Sequence, residues 1–172
     1  MATATIILPV TAATPADGSA SNAAPQYSRR KGTETAPVKH YVTADFDAAA
    51  DEHIVYNFQL PTNYASGGTV RLHWMANATT GNVVWGSRVG AITPDDADTP
   101  VEHAQAAATT TTTAVNATEA RRLTESTISP STDSAVAGDE IFLIVYRDAD
   151  NASDTCSVDV ELLSVSFDYT TT

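Results

Sequence analysis

The chain is short of the residues that usually announce chemistry. It has one cysteine, Cys156, so no intrachain disulfide can form. Cys156 sits in strand-like alternation beside acidic residues, with no histidine near it in sequence. That setting suits a small core residue better than a nucleophile. Charged residues make up 17%, low for a soluble enzyme, and basic ones number only 9 against 21 acidic. A net charge of -12 argues against nucleic acid as a partner, because phosphate binding needs a concentrated basic surface. No apolar run approaches the ~20 residues of a membrane-spanning helix, so no membrane partner is expected. The opening MATATIILPV lacks a basic n-region, which points to synthesis in a cytoplasm without a cleaved signal.

Catalytic and metal patterns are missing as well. His40, His53, His73 and His103 never fall at close ligand spacing, and neither HExxH nor CxxC occurs. There is no Gly-x-Ser-x-Gly elbow and no glycine-rich phosphate loop ending in Lys-Ser/Thr. Carboxylates are plentiful, but nothing separates a general acid from a base. These absences argue against an enzyme.

What is present is alternation. An apolar fraction of 42% is enough for a core. Ile54, Tyr56, Phe58 and Leu60 share one strand face, and Val70, Leu72, Trp74 and Ala76 share the next. The stretch FQLPTNYASGGTVRLHWMANATTGNVVW, residues 58–85, reads as three strands with turns at Ser66-Gly67-Gly68 and Thr80-Gly81-Asn82. Gly86 and Gly90 suggest bulges in the third. Ile141 to Tyr146 is almost wholly apolar, which predicts a strand covered on both faces. In the last strand the apolar phase flips at Leu162-Leu163, the mark of a bulge. About eight strand-like runs without a strong helix predict an all-β fold: an antiparallel two-sheet β-sandwich, jelly-roll-like.

Two segments break the pattern. Residues 1–37 contain one short strand at Ile6 to Val10, then turn residues and a Ser/Ala/Asn run. They read as an extended N-terminal arm before a β-sandwich domain at 38–172. Residues 1–32 carry Asp17 against Arg29, Arg30 and Lys31, a net of +2, which leaves -14 on residues 33–172. Arg29, Arg30 and Lys31 are therefore candidates for contact with an acidic partner, the plain alternative being a solvated charge run. Residues 93–120 hold the acidic tip Pro94 to Asp98, an Ala run and Thr109 to Thr113. They read as an irregular Thr-rich edge strand, a reach toward a neighbouring subunit, or an Ala-rich helix over 101–108.

Two further side-chain sets are candidates. Asp148, Asp150 and Asp154 lie on one polar loop and offer oxygens of the kind that calcium takes, although turns are built from the same residues. No cofactor is otherwise expected. Trp74 shares its face with Val70 and Leu72 and belongs to the core. Trp85 shares one with Val83, and is the candidate for glycan contact if it is exposed.

Tyr56-x-Phe58-x-Leu60-Pro61-x-x-Tyr64-x-Ser66-Gly67-Gly68-Thr69-Val70, Thr79-Thr80-Gly81-x-Val83-Val84-Trp85, Val136-Ala137-Gly138-Asp139 and Arg147-Asp148-Ala149 together resemble small β-sandwich virion proteins of tailed bacteriophages. The resemblance spans roughly residues 45–170 and carries no catalytic residues. It implies either a capsid decoration (cement) protein or a tail or fibre module. In the first case an oligomer, a trimer by preference, would bind the major capsid protein on the capsid exterior and stabilise the shell. In the second the module would bind a receptor or a carbohydrate.

Overall fold

A computed structural model describes residues 1–19, 23–96 and 100–172. Parts of the Ser/Ala/Asn run and of the acidic tip lie outside them. Among the described residues there is no α-helix, and eleven strands form two antiparallel sheets. In chain order they are β1 (Thr3–Pro9), β2 (Thr14–Pro15), β3 (Gln26–Lys31), β4 (His40–Phe46), β5 (Glu52–Gln59), β6 (Tyr64–Ala76), β7 (Asn82–Ile92), β8 (Thr109–Ala114), β9 (Thr124–Ile128), β10 (Glu140–Arg147) and β11 (Val160–Thr171).

The first sheet runs β3-β4-β11-β6-β9, with β1 also paired to β11; the second runs β2-β5-β10-β7-β8. The two inner faces meet in one core. Ala44, Phe46, Leu72, Trp74, Val160 and Phe167 come from the first sheet, and Ile54, Tyr56, Trp85, Val89, Leu143 and Val145 from the second. The sandwich follows directly from the alternation, because period-two burial gives each sheet one apolar face to hide.

Several expectations change. Residues 1–37 are not a free arm. β1 pairs with β11 from Thr3↔Thr170 to Pro9↔Ser164, β2 pairs with β5, and β3 pairs with β4. Ile6 and Leu8 turn into the core while Ile7 points out, 68% exposed. The short strand expected at Ile6 to Val10 is part of β1; β2 and β3 were hidden because their backbones are held by ladder hydrogen bonds, which leave little trace in a polar sequence such as QYSRRK. Ser66-Gly67-Gly68 lies inside β6, not at its start. Gly67 has a positive φ of 74° where the β6–β11 register slips. The chain turns earlier, at Pro61, whose carbonyl accepts the Tyr64 amide.

The phase flip in the last strand is a real irregularity, with the register shifting between Leu162 and Ser164. Of the three readings of 93–120, the Thr-rich edge strand is the one present, since β8 pairs with β7 at the sheet edge. Trp74 is fully buried, and its Nε1 donates to Ser126 Oγ at 2.8 Å. Ser126 in turn donates to Thr113 Oγ1 at 2.8 Å, so one hydrogen-bond chain ties β6 to β9 and β9 to β8 across the two sheets.

Candidate functional site

The outer faces of the two sheets differ in kind. On the first sheet ionic pairs cover much of the face. Arg71 joins Asp168 at 2.6 Å and Glu125 at 2.9 Å, and His73 joins Glu125 at 3.1 Å and Ser164 Oγ at 3.2 Å. Arg30 and Arg121 share Glu161. These groups satisfy one another and leave few spare hydrogen bonds.

The second sheet presents a half-exposed row instead. Phe142, Ile144 and Tyr146 of β10 point outward and are only partly buried. The expectation that β10 is covered on both faces therefore holds for Ile141, Leu143 and Val145 alone. The row's neighbours across the register are Asn57, Val55 and His53 on β5 and Gly90, Arg88 and Gly86 on β7.

The glycines explain the shape. Both sit in regular register, so neither is a bulge. A Cβ at Gly86 would collide with the Tyr146 ring, so the missing side chain lets that ring lie over the backbone of β7. Gly90 gives similar room to the Gln105 side chain, which would be 3.1 Å from a Cβ there.

Two adjoining hollows result. The first, about 410 Å³, is lined by Asp51, Glu52, His53, Arg88, Ile144, Tyr146 and Asp148. The second, about 330 Å³, shares Ile144 and adds Val55, Phe142, Val101 and His103. Sizes of about 300–1,000 Å³ with an apolar floor and a few polar groups at the rim are usual for small-ligand sites.

The polar groups are held in place. Burial, helped by the Asp148 charge and opposed by Arg88, raises the Tyr146 hydroxyl pKa, so the phenol stays protonated and can donate. Burial lowers the His53 pKa, opposed by Asp17, so the imidazole is held towards its neutral form. Burial raises the Glu52 pKa, although its carboxylate accepts the Asp47 amide at 2.7 Å. The rim thus offers carboxylate acceptors, a guanidinium donor and a phenol around an aromatic surface.

The residues expected from sequence are placed as follows. Trp85 is fully buried and presents no surface for the glycan contact that exposure would have allowed. It packs edge-on to Phe46, 5.1 Å between centroids at 80°, and lies 6.1 Å from Trp74. Its inward parity is that of Val83 and Val89, all facing the other sheet.

Of the three loop aspartates, Asp148 and Asp150 converge, and Asp51 joins them with one oxygen each within 4.8 Å of the others. Asp154 does not. Both its oxygens are occupied by Arg147, at 3.0 and 2.8 Å, and one also accepts the Val84 amide at 3.0 Å. Asp51 Oδ1 is likewise taken by the Ala149 and Asp150 amides, at 2.7 and 3.3 Å. One oxygen from each of three carboxylates is fewer than the six to eight oxygens calcium takes, so the cluster alone does not define a calcium site.

The Asp51 charge, followed by burial and Asp148, raises the Asp150 pKa. Asp51→Asn is expected to bring it back down, read by NMR of the side-chain carboxyl carbons against pH. An unchanged Asp150 curve would refute the coupling. A raised acid pKa means that the folded state holds the proton to higher pH than the unfolded chain does. The cluster therefore favours folding more as pH falls through that raised value.

Arg29, Arg30 and Lys31 lie on β3. Arg30 is engaged within the chain, 2.6 Å from Asp45 and 3.2 Å from Glu161. Arg29 and Lys31 are exposed.

No protein-family model and no curated protein matches the sequence. Solved structures do. The CBM22-1 xylan-binding domain from Paenibacillus barcinonensis Xyn10C matches with a TM-score of 0.50 at 9% identity, covering 100% of this chain and 99% of that one. The chain has a β-sandwich jelly-roll fold. A family 35 carbohydrate-binding module from Clostridium thermocellum matches at 0.49 and 10% identity, over 95% and 97% of the two chains. The family 11 module from the same organism, in complex with a β-1,3-1,4-mixed-linked tetrasaccharide, matches at 0.49 and 8%, over 97% and 96%.

Proposed function

We propose that the chain is a non-catalytic carbohydrate-binding module whose ligand lies on the outer face of β5, β10 and β7. The observation that carries the reading is the Tyr146 ring laid over Gly86, continuous with Ile144 and Phe142 and rimmed by Arg88, His53 and Asp148. A sugar has apolar ring faces and a girdle of hydroxyls. It needs a flat aromatic or aliphatic surface together with fixed donors and acceptors at its edge. The ionic patch of Arg71, His73, Glu125 and Asp168 on the first sheet offers little such surface. The similar fold of a xylan-binding domain supports this reading.

The capsid-decoration expectation came with the bacteriophage resemblance and counted an extended arm among its motives. With β1 and β3 paired into the sheets, the arm no longer supports it. In the virion setting that the phage resemblance implies, the same sheet face would serve a tail or fibre module that grips a surface glycan.

Tyr146→Ala is expected to weaken binding of a soluble neutral glycan, found by screening xylan and mixed-linked glucans, by about 2 kcal/mol, or roughly thirtyfold. The fold should survive, because the ring is half-exposed. Calorimetry reads the affinity and circular dichroism the fold. Binding undiminished in Tyr146→Ala, or no binding to any glycan in the screen, sinks the proposal.

A further inference from the structure

The chain contains only two lysines, Lys31 and Lys39, and both line one cleft of about 810 Å³ on the opposite sheet. Arg30 and Arg121 line it too, so four of the nine basic side chains meet there in a protein of net charge -12. The floor is built and rigid. Arg121 grips both Glu161 oxygens at 2.7 Å, and Arg30 bridges Asp45 and Glu161. Those two guanidiniums and two carboxylates balance.

The lysines are left over. Among the described residues neither forms an ion pair, and Glu34, which feels the Lys39 charge, uses an oxygen on the Lys39 backbone amide at 2.7 Å. The Arg30 Nε is buried without a partner. Beside these charges stand apolar groups: Tyr41, Met75, Leu163 and Leu123, the last 55% exposed.

A basic edge strand has a plainer use, since cations on β3 discourage edge-to-edge pairing. That use needs neither Lys39 and Arg121, which lie off β3, nor an exposed leucine between them. We infer that this cleft is a second binding site, for an anionic polysaccharide. Carboxylate or sulfate groups meet the Lys31 and Lys39 ammoniums, and the sugar rings lie on Tyr41 and Leu123. An extended acidic peptide fits less well. It would seek the free edge of β3, whereas the cleft crosses the sheet face from β3 through β4 to β11 and β6, where the strands' backbones are already paired.

The site lies on the other sheet from Tyr146 and stands without that reading. The test uses the whole chain with polygalacturonate, poly-glutamate and a neutral glucan. Polygalacturonate is expected to bind at low salt and to be released at about 0.5 M, where screening shortens to a few ångströms. Lys31→Gln/Lys39→Gln should weaken it at least about tenfold, with the fold and any Tyr146-dependent binding of neutral glycan unchanged. Acetylating the amines should have the same effect, whereas reductive methylation, which keeps the charge, should not. Polygalacturonate binding that is equal in the double variant and the parent overturns the inference, and so does poly-glutamate binding as tightly as polygalacturonate.

Discussion

Arg147→Ala is expected to lower stability by about 3–5 kcal/mol. Arg147 has no solvent exposure, and its partner Asp154 has 1%. The guanidinium is fully used. Nε and Nη2 donate to the two Asp154 oxygens, Nη2 also to Cys156 O at 2.6 Å, and Nη1 to Val158 O at 3.0 Å and Asp47 O at 3.1 Å. It pins the end of β10 to the loop before β11 and to the end of β4.

Removing it leaves a buried carboxylate and several carbonyls without partners, which is far costlier than losing an exposed pair. Whole domains are stable by only about 5–15 kcal/mol, so the variant should melt about 6–20 °C lower or not fold. Arg147→Lys should recover little, because a single ammonium cannot reproduce the planar fork. Urea unfolding reads the effect. A loss below about 1 kcal/mol, the range of exposed pairs, would falsify the account.

The second large effect is at Trp85. Trp85→Ala is expected to cost about 3–5 kcal/mol, through lost contacts and a cavity between Phe46 and Trp74. The substitution should therefore reduce glycan binding only in proportion to the protein unfolded, whereas Tyr146→Ala should reduce it with the protein folded. Measuring affinity and urea midpoint on both variants separates the two roles. A stable Trp85→Ala protein that has lost its ligand would reverse their assignment.

Much of this was legible in the sequence, for a physical reason. Burial alternates with period two along β5 and β6, so Tyr56, Leu72 and Trp74 announce both the strands and the inward face. The same parity places Trp85 inside, and it also carries Arg147, in step with Ile141, Leu143 and Val145, into the core. That signal was present, but an arginine at the start of a polar loop reads as solvated.

The sheet-face site was hidden by the same apolar run. In Ile141–Tyr146 both parities are apolar, so sequence cannot tell a covered outer row from one left open for a ligand. Only the glycines facing Tyr146 and Gln105 hint at it, and they read equally as bulges. β3 escaped because QYSRRK has no amphipathic period, and for the same reason TTTTTA left β8 as one of three readings; their neighbours' backbones hold them. Asp51 escaped as a companion of Asp148 because nearly a hundred residues separate them.

β11 is the hub of its sheet. It pairs with β6 along one edge and with β1 and β4 along the other. It is also made after the other strands of its sheet. Until it exists, β1, β4 and β6 have no common neighbour, and β1 must wait for a partner more than 150 residues later in the chain. A protein wired this way cannot assemble its first sheet strand by strand as it leaves the ribosome. It must hold β1, the β3–β4 pair and the β6–β9 pair apart and then close them around one late arrival, the slow route expected of long-range β topology. A chain halted before Val160 would present those three edges to its neighbours, and aggregation rather than partial folding is its natural fate.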